Sequence, residues 1–123
     1  TAFFSWHVVR LDPVRSIGSA NAAGVRAASA AIVALAEDHC FPEPDWAERI
    51  IAAHEGSWAA VGPSVANANP GSAISWADFF IGYGPWAAPC ASREADFLPG
   101  HNSSYKPMRL RYLRSQRYSH YLD

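Results

Sequence analysis

The run Ala31-Ile32-Val33-Ala34-Leu35 leads through Ala36 straight into Glu37, Asp38 and His39, and Pro42 and Pro44 follow closely. No polar residue breaks the run, so neither face of a strand built from it suits water. Such strands belong inside parallel sheets. The two acids and the histidine then stand at a strand's carboxyl end, where ligands collect in open α/β sheets because loops converge there and helices present their N-termini. Pro42 and Pro44 stiffen the exit and keep the three side chains from folding away. Carboxylates suit hard divalent cations, and a neutral imidazole adds affinity for manganese-like ions. A cation held by one or two protein groups keeps positions open for phosphate oxygens.

The surrounding pattern alternates strands with helices. His7–Leu11 reads as a strand ended by Asp12 and Pro13, and the alanine-rich stretch after Ser19, the expected N-cap, reads as a helix. Asp45 and Glu48 have the spacing of a capping box for a helix that Gly56 stops, with Trp46, Ile50 and Ala53 on one side. Trp58–Ala66 is a second apolar strand broken at Gly62-Pro63, and Asn67–Ser72 is a turn. The window Ile74–Pro89 reads as a packed helix followed by a turn, Ala95–Leu98 as a short strand, and Pro99–Tyr105 as a polar loop in which Gly100 is free to take an unusual backbone angle. Lys106–Asp123 carries apolar residues among four arginines, as an amphipathic helix would. The expected fold class is α/β, a mostly parallel sheet flanked by helices.

Composition narrows the function classes. With 123 residues the chain has the length of one modest domain, and half of its residues are hydrophobic. A net charge of -1 gives no general attraction to nucleic acid or anionic membranes, so a ligand must be recognised locally. No apolar run reaches the length of a membrane span. Cys40 and Cys90 permit one disulfide at most and lie too far apart for a metal knuckle; unpaired thiols point to a reducing, cytoplasmic setting.

"AIVALAEDHCFPEPDW", Ala31–Trp46, resembles the strand, DxD-type motif and proline turn of glycosyltransferase family 2, through Leu35, Glu37, Asp38, Pro42, Pro44 and Trp46. "SANAAGVRAA" resembles the family's upstream A-R-N-x-G helix, with Asn21 and Ala22 where the family has Arg and Asn. "FLPGHNSSYK" resembles its G-x-N-x-x-x-(K/R) segment through Gly100, Asn102 and Lys106. His39 stands where the family's metal-binding last acid would be.

The resemblance, over residues 7–110, implies part of a GT-A fold, the nucleotide-diphospho-sugar transferase fold. The expectation is one partial domain over 1–123, lacking the N-terminal base-binding unit and the C-terminal catalytic segment and therefore inactive by itself. The implied activity is inverting transfer of a sugar from a nucleotide-diphospho-sugar donor to the hydroxyl of a carbohydrate or lipid-linked acceptor. A divalent cation, manganese or magnesium, and a place at the membrane periphery come with it. Nucleic acid is not an expected partner. The residues carried over are Glu37, Asp38, Gly100, His101 and Asn102 for the nucleotide-sugar and Asp38 and His39 for the metal; no catalytic base is assigned.

Plainer readings stand beside these. Glu37 and Asp38 also suit a solvated loop, His39 a turn, and His101 and Asn102 a loop that satisfies its own backbone. Among the five tryptophans Trp86 is the candidate platform for an acceptor sugar, the others packing residues. The basic tail suits a solvated helix face, and His54 is given no function. The alternative to a transferase is a non-catalytic or degenerate nucleotide- or carbohydrate-binding module that keeps the acidic turn as a remnant.

Overall fold

The structure, a computed structural model, describes residues 5–13 and 16–106. The chain divides into two compact units, one of residues 1–33 with 105–123 and one of residues 34–104. The expected tail helix falls almost wholly in 107–123, outside the described residues.

In the first unit the one described helix, α1, spans Ile17–Ala27. It starts earlier than Ser19 because Ser16 and Ser19 cap each other: each backbone N–H donates to the other's hydroxyl at 3.1 Å. Ala23 is its buried residue. Residues 7–11 form no strand, and Val8 and Val9 are exposed. Branched residues favour extended backbone, but only a neighbouring strand can fill the ladder.

A three-stranded antiparallel sheet has the order β1-β3-β2, with β1 at Val33–Ala34, β2 at Ala60–Val61 and β3 at Ser104–Tyr105. This corrects the expected fold class: a mostly parallel sheet flanked by helices, as in a nucleotide-diphospho-sugar transferase fold, does not form among the described residues. The apolar run Ala31–Leu35 contributes only two residues to a strand, both half-buried. Hydrophobic content says that a strand is buried, whereas direction is decided by the partner, and here the partner is the segment that follows the loop at 100–102. Among the described residues parallel pairing occurs in one isolated bridge, Val65 with Ala87.

The second unit holds α2 (Trp46–Ala53) and α3 (Ala73–Tyr83), the latter running into a 3₁₀ turn at Gly84–Trp86. Asp45 occupies the N-cap of α2 without capping it, because its carboxylate accepts from Arg49 Nε at 2.7 Å instead. Ser72 caps α3 by accepting from the Ser75 N–H, and Trp76 Nε1 donates to Pro70 O, so the turn at 67–72 and the helix start form one piece. Along α3 the rings of Trp76, Phe79, Phe80 and Tyr83 contact one another at 5.5–5.8 Å. Phe79 is buried, whereas Ile74, Phe80 and Ile81 are exposed, so the expected packed helix buries a single ring.

The centre of this unit is polar. Ser103 and Ser104 are completely buried; Ser103 Oγ donates to Pro99 O, and Ser104 Oγ donates to Val61 O and lies 2.9 Å from His54 Nε2. These hydrogen bonds offset the cost of removing the hydroxyls from water. Gly62 allows the chain leaving β2 to pass under Leu98, whose Cδ2 would lie 2.8 Å from any added Cβ. No helix among the described residues is long and apolar enough to cross a membrane.

Candidate functional site

The acidic turn is attached to the 99–104 segment by an extension of the β1–β3 ladder. Leu35 N–H donates to Ser103 O at 2.9 Å. Two residues on, Glu37 N–H points the same way and finds the Asn102 side chain, Oδ1 at 3.4 Å, in place of a backbone carbonyl. Asn102 has φ +59, a left-handed conformation that Asn tolerates better than most residues. The chain turns there, and the side chain substitutes for the missing acceptor. Gly100, the residue expected to take the unusual angle, does not have a positive φ.

The same Asn102 reaches Cys40: its Nδ2 donates to Sγ at 3.1 Å. Cys40 Sγ lies 3.7 Å from Glu37 Oε2, and His39 Nε2 lies 3.6 Å from that oxygen. Glu37 Oε1 faces His101 Nδ1 at 3.8 Å. Glu37 is thus the hub, with an imidazole and a thiol on one oxygen and a second imidazole on the other. His39 Nδ1 lies 3.2 Å from Asp38 Oδ1, which turns Nε2 toward the hub.

Tyr83, at the end of α3, meets the His101 ring edge-on at 5.2 Å. Its phenol is pushed above the ordinary value of 10.0, first by burial and then by the negative charge of Glu37, with Cys40 and Asp78 adding to it.

Of the residues expected to bind the nucleotide-sugar, Glu37, His101 and Asn102 come together here. Asp38 is fully exposed and stands behind His39, and Gly100 is exposed with open space around its Cα. Of the two residues expected at the metal, His39 belongs to a group of Glu37, His39 and Cys40 whose ligand atoms all lie within 4.8 Å of one another. Asp38 is not in that group. Cys40 is the residue that sequence reasoning passed over, although its place directly after E-D-H was the available signal.

The donor set bears on the implied cation. Magnesium requires oxygen ligands near octahedral geometry, and one carboxylate, one imidazole and one thiol do not fit it. Manganese accepts the first two but has little use for the third.

A cleft of about 140 Å³ lies elsewhere in the unit, lined by Pro85, Trp86, Phe97, Arg93, Glu94 and Asp96 among others. Trp86 is held there because Val65 N–H donates to Trp86 O and Ala88 N–H to Val65 O, while its ring meets Phe97 edge-on. Trp86 shares the lining of this cleft with Arg93, Glu94 and Asp96.

Cys40 and Cys90 are both free thiols. Comparison with protein-family models, with curated proteins and with solved structures gives no match to this chain.

Proposed function

We propose that the cluster at Glu37–Cys40 and His101–Asn102 binds the diphosphate of a nucleotide-sugar donor in a glycosyltransferase-like domain that passes the sugar, with inversion, to an acceptor hydroxyl. One observation carries this reading: segments 62 and 65 residues apart in sequence, each resembling a donor-site motif, meet through both ends of the Asn102 amide. Random surface loops have no reason to be tied together by the side chain of a residue whose backbone is left-handed.

The chemistry assigned to each residue follows from its type. His39 and His101 offer ring N–H groups that donate hydrogen bonds to diphosphate oxygens. Asn102 is a positioning residue, since both ends of its amide are spent on Glu37 and Cys40. The acceptor sugar stacks on Trp86. Magnesium does not fit this donor set.

A second reading, a non-catalytic nucleotide- or carbohydrate-binding module, draws on the exposure of the cluster. Asp38 is wholly exposed and His39 is 73 % exposed, so the described residues do not shut water out from a reacting centre.

Calorimetric titration with a panel of nucleoside diphosphates, with and without manganese, tests both. Binding that falls about tenfold in Asn102→Ala and in His101→Ala, as loss of about 1.4 kcal/mol requires, supports a donor site. Transfer or hydrolysis of a matching nucleotide-sugar then favours the transferase, and binding without turnover the module. If no nucleoside diphosphate binds, the transferase reading and the nucleotide-binding form of the module both end.

A further inference from the structure

We propose that Glu37, His39 and Cys40 form a binding site for a zinc-class, thiophilic divalent cation, with Asp38 as the outer partner that orients His39. The inference concerns the same cluster as the donor reading but does not need it.

Geometry and ligand chemistry agree. Zinc bonds of about 2.0–2.3 Å at tetrahedral angles place neighbouring ligand atoms about 3.3–3.6 Å apart. Two edges of the triad are 3.6 Å, His39 Nε2 to Glu37 Oε2, and 3.7 Å, Glu37 Oε2 to Cys40 Sγ. One ligand atom from each of the three residues lies within 4.8 Å of the other two. Two of the three side chains are half-buried.

The orientation of His39 is the second support. Metal-binding imidazoles as a rule give the other ring nitrogen to a carboxylate, which selects the tautomer and raises ligand basicity. Asp38 Oδ1 sits 3.2 Å from His39 Nδ1 and leaves Nε2 facing Glu37. The Asn102 amide donates to Cys40 Sγ, as it would to a bound thiolate. His101 Nδ1 faces the far oxygen of Glu37 at 3.8 Å.

Three protein ligands leave a fourth tetrahedral position for water or for a ligand oxygen, the pattern of open zinc sites rather than closed structural ones. Oxygen, nitrogen and sulfur in one set select against magnesium and calcium. The acidic turn therefore differs from an all-oxygen cation site in both its ligands and its ion.

Cobalt(II) titration of the whole chain, followed by absorbance, tests this without any nucleotide. One equivalent is expected to bind with a thiolate-to-cobalt charge-transfer band and to be displaced by zinc but not by magnesium. Cys40→Ser is expected to abolish the band and weaken zinc binding about a hundredfold, and Asp38→Asn to weaken it about tenfold with the band retained. Cys90→Ser should change neither, and circular dichroism should show each variant folded like the parent. A cobalt spectrum without the sulfur band, equal effects of Cys40→Ser and Cys90→Ser, or displacement by magnesium overturns the assignment. Nucleoside diphosphate binding that survives in Cys40→Ser would leave the donor reading standing after such a failure; a thiolate–cobalt site indifferent to every nucleoside diphosphate would end the donor reading and keep the metal.

Discussion

Glu37 shows how much one side chain's surroundings decide. Sequence places it before Asp38 and His39, and nothing in that order says which of the three is central; the structure makes Glu37 the hub because its backbone N–H is tied to Asn102 and its oxygens face three different groups. The consequence reaches Tyr83, whose phenol is raised by burial first and by Glu37 second. A raised value means that the folded state holds the phenolic proton more tightly than the unfolded chain, whose tyrosines titrate near 10. Its contribution to stability is therefore complete below about pH 10 and is lost as pH rises through the folded value. Ultraviolet titration of the parent against Tyr83→Phe is expected to show this tyrosine ionising later than a free one, and Glu37→Gln should lower its midpoint without returning it to 10.0, since burial remains. A midpoint unmoved by Glu37→Gln would mean that the carboxylate does not face the phenol.

At the scale of elements, helices were the more legible part. The 45–56 segment announced α2 by apolar spacing and the 74–89 window announced α3 by its hydrophobic content, whereas the expected Asp45 cap is not made and α1 starts from Ser16 rather than Ser19. Helices satisfy their own backbones, so local residues suffice to place them. Strands do not, and His7–Leu11 and Ala95–Leu98 have strand-like composition without strand structure. Within α3 the split between buried and exposed rings predicts unequal mutational costs. Phe79→Ala is expected to cost about 3 kcal/mol in urea unfolding, as a nearly buried ring does, whereas Ile81→Ser on the open side should stay within about 0.5 kcal/mol. Equal costs would show that Ile81 is covered in solution.

At the scale of the whole molecule, the hydrophobic residues among the described part of the chain are not gathered into a large apolar core. Ala23 and Phe79 are the buried hydrophobic residues described, while Trp6, Ile17, Phe41, Ile74 and Ile81 stay more than four-fifths exposed. Exposed rings and branched chains of that size bind hydrophobic dyes. The native chain is expected to enhance the fluorescence of 8-anilinonaphthalene-1-sulfonate, and the double variant Ile74→Ser, Ile81→Ser to reduce it by about half; a native chain dark to the dye would show these faces covered. The sequence by itself determined where the chemistry-bearing residues stand along the chain, that Glu37–Asp38–His39 follows an apolar run, that Asn102 lies in a polar loop, and which stretches are helical to within a few residues, because apolar content and periodicity act locally. Tertiary structure alone decided that the run pairs antiparallel with the segment after that loop, that Asn102 bridges to Cys40, and that the buried centre is made of Ser103, Ser104 and His54, because strand direction and side-chain convergence depend on partners more than 40 residues away.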